Sequence, residues 1–160
     1  MRKINLLLLL ALTTMSWAQQ QTLEKGWKFT REDQPQFSHG DYNDSKWQKV
    51  TLPHDWAIYG PFDRENDLQR IAIKQDGQKS AIEHTGRTGG LPFVGVGWYR
   101  TEFDIPELTA DKQVFIQFDG AMSNPEVYVN GHKAGLWHNG YNTFFLNISP
   151  FVKAQGNTLA

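Results

Sequence analysis

The chain has 160 residues, a formal net charge of −1 and no cysteine. Zero cysteine excludes a disulfide framework, a thiolate metal site and a lipid-modified cysteine, and the near-neutral charge gives no footprint for nucleic acid or an acidic membrane surface. Aromatic residues make up 13%, with six Trp and ten Phe, which serves a large core or a surface that stacks on pyranose rings; composition does not separate these uses.

Arg2 and Lys3 precede an apolar run from Leu6 to Leu12, and Ser16-Trp17-Ala18 follows. This is the layout of a secretory signal peptide cut between Ala18 and Gln19. The apolar run is roughly half the ~20 residues that a spanning helix needs, and no later stretch is apolar enough to span a membrane. The expectation is a secreted or periplasmic protein, no membrane association, and a mature part over residues 19–160. That length suffices for one domain with its own core.

No window of the mature chain carries the periodicity of an amphipathic helix. Short alternating runs predict strands instead. Trp27-Lys28-Phe29 is the first. Trp47 to Leu52 alternates and stops at Pro53, which cannot donate to a ladder. Ile58 to Pro92 breaks the rhythm: about 35 charged and glycine-rich residues hold one strand-like piece, Arg70 to Ile73, and a loop that long is functional or disordered. Trp98 to Ile105 alternates strongly, with Tyr99, Thr101, Phe103 and Ile105 on one face and Arg100, Glu102 and Asp104 on the other. Val114 to Asp119 follows. Glu126 to Val129 then meets Asn130-Gly131, the pair a type I′ hairpin turn prefers because both positions take φ > 0, and His132 to Leu136 returns antiparallel. Thr143 to Asn147 is a further strand, Ser149 to Val152 a turn. The pattern predicts an all-β sandwich or barrel. Asn157 to Ala160 begins another strand where the sequence stops. The expectation there is an open sheet edge in a piece of a longer protein or a truncated reading frame.

Four stretches together carry a family resemblance. They are Gly26-Trp27-Lys28-Phe29, Trp47 through Leu52-Pro53-His54-Asp55-Trp56, Gly95-Val96-Gly97-Trp98-Tyr99-Arg100 leading into Phe103, and Phe118-Asp119-Gly120 through Val127-Tyr128-Val129-Asn130-Gly131 to Gly135, with Tyr141-Asn142-Thr143-Phe144 downstream. In this order and spacing they resemble the N-terminal sugar-binding jelly-roll domain of glycoside hydrolase family 2. The Leu-Pro-His-Asp-Trp form is most similar to the β-galactosidase branch. The likeness runs from about Leu23 to Ala160. Unaided, Gly95 and Gly97 read as positions of tight or positive-φ backbone entering the Trp98 strand.

The resemblance implies an all-β, jelly-roll or galactose-binding-like β-sandwich lacking its last strand or strands. It also implies a retaining mechanism with two glutamates about 5–5.5 Å apart, carried by a downstream barrel that nothing in these residues matches. No catalytic residue, cofactor or metal site is therefore expected in this chain. The implied partners are a carbohydrate substrate, met through the full-length enzyme, and the catalytic barrel of the same protein. Jelly-roll loops in this family reach over the barrel mouth, which makes the Asp63–Gly90 loop and Trp137, His138, Asn139 and Tyr141 candidates for sugar contact. Trp137 and Tyr141 could stack on a ring and Asn139 could bond two hydroxyls. A capped hairpin with core aromatics explains the same residues and weighs more. Some β-galactosidases place a substrate-contacting asparagine just before the glycine equivalent to Gly97; here Phe93-Val94-Gly95-Val96 offers none.

Other tempting groups read as structural. Asn124-Pro125-Glu126 is a turn into the Val127 strand rather than an acid/base glutamate. His54 and Asp55 are adjacent in extended chain, so they point to opposite faces and cannot orient one another. His39, His84, His132 and His138 lack metal spacing. Asn43-Asp44-Ser45 and Asn147-Ile148-Ser149 match glycosylation sequons. The expected function is the N-terminal portion of an exported family 2 glycosidase, bracing the barrel and shaping the substrate entrance. A stand-alone carbohydrate-binding module and a non-functional remnant stay open as alternatives.

Overall fold

A computed structural model describes residues 19–160; the predicted leader and its cut site lie outside the described residues. Among the described residues ten strands form an antiparallel, all-β architecture: β1 (Trp27–Thr30), β2 (Gln48–Val50), β3 (Leu68–Ile73), β4 (Ile82–Arg87), β5 (Trp98–Phe103), β6 (Phe115–Phe118), β7 (Glu126–Val129), β8 (His132–Leu136), β9 (Phe144–Asn147) and β10 (Asn157–Leu159). Six make one sheet in the order β2-β1-β5-β10-β7-β8; β6 pairs with β9, and β3 with β4.

The core lies between the six-stranded sheet and the β6–β9 pair. Trp27, Phe103, Val127, Val129, Ile148 and Leu159 form its buried centre, and Ile116 and Phe118 of β6 and Leu146 of β9 close over it. The two sheets approach so tightly at Gly135 that a Cβ there would stand 2.6 Å from Leu146 Cδ2. The predicted hairpin is present. Asn130 and Gly131 have φ of 52° and 84°, and Val129 stands opposite His132, so both residues occupy the left-handed region that the turn requires.

Two expectations need correction, and a third is narrowed. The strand at Asn157 is no edge. β10 runs inside the large sheet, with Leu159 paired to Thr101 on one side and to Val129 on the other; the edges are β2 and β8. The Ile58–Pro92 stretch is not a featureless loop: β3 and β4 pair over their full length, Leu68 opposite Arg87 through Ile73 opposite Ile82. Of the two alternatives at Gly95 and Gly97, positive φ is absent and tight surroundings are present. At Gly97 the need is space, since a Cβ would lie 2.9 Å from Phe29 Cε2 and 3.5 Å from Trp56 Cε2.

The β5 alternation also has a consequence that parity does not show. Arg100 points away from the core, as predicted, yet only 2% of it is exposed. The segment between β1 and β2 folds over it through a 3₁₀ turn at Pro35–Ser38, with the Phe37 ring against Tyr42, Trp47 and Trp98. The sandwich thus carries a small second aromatic cluster on the outer face of its large sheet.

Candidate functional site

The predicted sugar-contact residues lie on the chain between β8 and β9. Trp137 leaves β8 with its backbone N–H on Pro125 O at 3.1 Å. Its ring stacks on Phe144 at 5.3 Å and 12°, and Phe144 stacks on Phe118 at 4.9 Å and 13°. One face of Trp137 is thereby committed to the protein, which fits the core-aromatic reading, although 37% of the residue stays exposed. His138 Nδ1 donates to Asn124 Oδ1 at 3.1 Å. Asn139 Oδ1 accepts the backbone N–H of Tyr141 at 2.9 Å, so its carbonyl closes the turn while both amide N–H groups remain for a ligand. Tyr141 is 80% exposed. The turn is held by close backbone approach: a Cβ at Gly140 would fall 2.7 Å from Met122 Sδ and 3.0 Å from Met122 Cα. The structure gathers the four residues on one turn and leaves Tyr141 and the Asn139 amide open, while Trp137 packs inward on Phe144 and the exposed His138 is held at the surface by Asn124.

The second candidate, Asp63–Gly90, is the greater part of a projecting arm. Its root is zipped: Phe93 N–H donates to Pro61 O at 3.2 Å, and Asp63 N–H to Leu91 O at 3.0 Å. Above the root, Asp67 accepts from Arg87 Nη1 at 3.2 Å, from Thr88 Oγ1 at 3.2 Å and from the Gly89 backbone N–H. Burial opposes its charge, but these donors outweigh burial and hold the Asp67 carboxyl below the usual carboxylate range. Beyond Asp67 the β3–β4 ribbon leaves Leu68, Ile71 and Ile82 exposed; Ile71, opposite His84, shares a face with Ile82. A lone two-stranded ribbon is marginally stable in water, so the locked root is what sets the arm's direction.

The Leu-Pro-His-Asp-Trp motif anchors that root. His54 Nδ1 and the Tyr99 hydroxyl share a 2.9 Å hydrogen bond, and Asp55 turns away to accept from Ala57 N–H at 2.9 Å, as expected for adjacent residues in extended chain. Trp56 packs on Phe29 of β1 and on Phe93 at the arm's base. Arg31 Nη2 donates to Trp56 O at 2.7 Å with its guanidinium 5.4 Å from the indole centroid. Burial, with help from the Asp55 charge and against that of Arg31, pushes the Tyr99 hydroxyl up to about 12. The motif is a hinge-block between sandwich and arm rather than a catalytic pair.

Glu126 accepts from the Tyr128 hydroxyl at 2.6 Å and pairs with Lys133 Nζ at 2.9 Å. The Tyr128 bond foremost, and Lys133 after it, keep its carboxyl low, the opposite of a general acid's requirement. In both sequons the asparagine Oδ1 accepts the serine backbone N–H, at 3.0 Å for Asn43 and 2.9 Å for Asn147. Among the described residues no group of three or more His, Cys, Asp and Glu is placed to hold a metal ion, and no helix is long and apolar enough to cross a membrane. Two shallow clefts, one lined by Gly40, Asp41, Asn130 and Lys153 and the other by Lys28, Asp44 and Glu102, include none of the predicted sugar-contact residues.

Sheet order and core define a jelly-roll-type β-sandwich with an arm and an aromatic turn projecting from it. The family described as "Glycosyl hydrolases family 2, sugar binding domain" matches residues 20–160. The chain belongs to glycoside hydrolase family 2, as its N-terminal sugar-binding domain. It is similar to the β-galactosidase BoGH2A of Bacteroides ovatus, with 35% identity over 84% of this chain and 14% of the relative. A β-glucuronidase of Formosa agariphila is 27% identical over 79% of this chain and 11% of its own length. Among solved structures, a β-glycosidase from Bacteroides vulgatus matches with a TM-score of 0.64 and 35% identity, over 86% of this chain and 16% of that one. A family 2 member from Bacteroides cellulosilyticus matches with a TM-score of 0.68 and 27% identity, over 87% and 16%. The chain therefore spans only a small fraction of the length of its relatives.

Proposed function

We propose that this domain is the non-catalytic N-terminal part of an exported retaining glycosidase acting on β-galactosides or β-glucuronides. Its arm docks on the catalytic domain, and its Trp137–Tyr141 turn faces the sugar. The observation that carries this reading is the arm. Its Ile71 and Ile82 face is exposed, yet its root is latched across the two strands by Asp67 and tied to the sandwich by Trp56, which packs on Phe93 and on Phe29 of β1. A root-anchored ribbon bearing an exposed apolar face is built to bury that face against something else. Names among the relatives support the substrate classes, since they include a β-galactosidase and a β-glucuronidase.

Two measurements test the reading. In the full-length product, Ile71→Asp with Ile82→Asp should lower thermal stability and hydrolysis of nitrophenyl glycosides, while the same changes in residues 19–160 alone should leave unfolding within about 0.5 kcal/mol. A stop codon after Ala160 in intact genomic DNA, with no barrel-encoding frame behind it, would sink the proposal. In that event calorimetry of residues 19–160 against galactosides and a wider glycan panel decides between a stand-alone binding module and a remnant.

A further inference from the structure

We propose that Asn139 is a site of spontaneous deamidation in the folded protein, and that Asn130, equally followed by glycine, is protected by the fold. The chain holds two Asn-Gly steps, Asn130-Gly131 and Asn139-Gly140. Glycine has no Cβ to shield its backbone nitrogen, so that nitrogen can reach the preceding side-chain carbonyl carbon. In the reaction the Gly140 nitrogen gives up its proton and bonds to Asn139 Cγ. The Cγ–Nδ2 bond breaks, and the nitrogen leaves as ammonia with that proton. Water then opens the five-membered imide at either carbonyl, giving aspartate or isoaspartate. No oxidant or reductant is involved.

The two sites differ in what ring closure must break. Asn139 lies outside every strand and is exposed. Its Nδ2 donates to no protein group among the described residues, so the leaving nitrogen is free. Its Oδ1 accepts the Tyr141 N–H at 2.9 Å, which draws electron density from Cγ and favours attack there. Asn130 is bound at both side-chain polar atoms and at its backbone N–H. Its Nδ2 donates to Phe151 O at 2.8 Å and to the fully buried Asn157 Oδ1 at 2.9 Å. Its Oδ1 accepts Thr158 N–H at 2.9 Å, and its own N–H donates to Thr158 O at 2.9 Å. Ring closure at Asn130 must open the β7–β8 turn and unseat β10; at Asn139 the departing amide nitrogen has no hydrogen bond to break.

The product changes the chemistry of the aromatic turn. A neutral amide with two N–H donors becomes a carboxylate that only accepts, and the isoaspartate form lengthens the backbone by one methylene between residues 139 and 140. The side chain beside the exposed Tyr141 would thus acquire a negative charge with time.

Peptide mapping by mass spectrometry tests the proposal on the intact protein, held in mildly alkaline buffer with and without denaturant. The native protein should gain the amide-to-acid mass and isoaspartate in the Asn139-Gly140 peptide. The Asn130-Gly131 peptide should convert at least about tenfold more slowly, because closure there waits on local opening. In denaturant the two peptides should convert at similar rates. Asn139→Gln should abolish the native-state signal at that position. Equal native rates at the two sites would overturn the proposal, as would a native Asn139 that stays intact while the denatured chain loses both amides.

Discussion

Arg100 of β5 and Asp44 of the β1–β2 excursion form an ion pair with Nε 3.1 Å from Oδ2, beneath the ring of Tyr42. The guanidinium also donates to Phe37 O at 2.6 Å and His39 O at 2.9 Å, and Asp44 takes the ammonium of Lys28 as well. The pair pins the excursion to the sheet while satisfying a buried cation. Asp44→Ala leaves that cation with carbonyl partners only and should destabilise the domain by about 3 kcal/mol, read from urea unfolding of residues 19–160.

The same pair predicts an acid limb. Burial raises the Asp44 carboxyl, but its bonds to Lys28 and Arg100 and their charges outweigh burial and set it below its ordinary 3.8. A lowered folded-state value gives stability that is fully present above the unfolded value and lost as pH falls through the folded one. Stability should therefore begin to fall below about pH 4 and keep falling through the native value of Asp44. Asp44→Ala should flatten that limb in unfolding measured across pH.

The knot at the arm's root makes two further predictions. Gly97→Ala drives a Cβ to 2.9 Å from Phe29 Cε2 and should cost about 1–3 kcal/mol through overpacking. Tyr99→Phe removes the hydroxyl bonded to His54, worth about 1 kcal/mol. Because the native Tyr99 hydroxyl is raised from 10.0 to about 12, the unfolded chain ionises first, and its share of stability is kept below the lower value and lost toward the higher. Denaturant unfolding across that alkaline range should show a shallower decline in Tyr99→Phe than in the parent. Tyr128, raised likewise by its bond to Glu126, adds to the slope in both proteins.

Asp67 is the arm's latch. Asp67→Ala frees Arg87, Thr88 and the Gly89 N–H together, yet touches none of the core residues. Limited trypsin digestion should then cut at Arg70, Lys74, Lys79 or Arg87 faster than in the parent, while the near-ultraviolet signal of the sandwich aromatics and its melting temperature stay unchanged. Loss of the sandwich signal in step with arm cleavage would show that the arm supports the fold rather than hanging from it.

How much of this was legible in the sequence follows from the range of the interactions. Asn130-Gly131 announces its turn because the chemistry is local, and β5 and β6 announce themselves because one face is buried and the residues alternate. The β3–β4 ribbon showed only the Arg70–Ile73 piece of β3 and nothing of β4. Leu68, Ile71 and Ile82 stay exposed, so no buried face imposed alternation, and charges mask the pairing. Arg100 looked like a solvent-facing residue because its partner Asp44 lies 56 positions away and is brought over it by a turn with no pattern of its own. The candidate turn was ambiguous for a physical reason: a tryptophan that stacks on Phe144 and one that stacks on a sugar are the same residue in the sequence. Only the structure separates Trp137, half committed inward, from Tyr141, which is not.

That separation yields the sharpest test of the aromatic turn. Trp137→Ala removes the outer ring of the Phe118–Phe144–Trp137 stack and should cost about 0.5–1.5 kcal/mol beyond the loss of buried area, in residues 19–160 and the full-length product alike. Tyr141→Ala removes a side chain that is 80% exposed and should leave unfolding within about 0.5 kcal/mol. If the turn faces the sugar, Tyr141→Ala raises KM for an extended glycoside in the full-length enzyme and leaves kcat for a small nitrophenyl glycoside intact. A Tyr141→Ala enzyme with unchanged KM on every glycoside, beside a destabilised Trp137→Ala, would assign the turn to structure alone and leave the arm as the domain's one route to the active site.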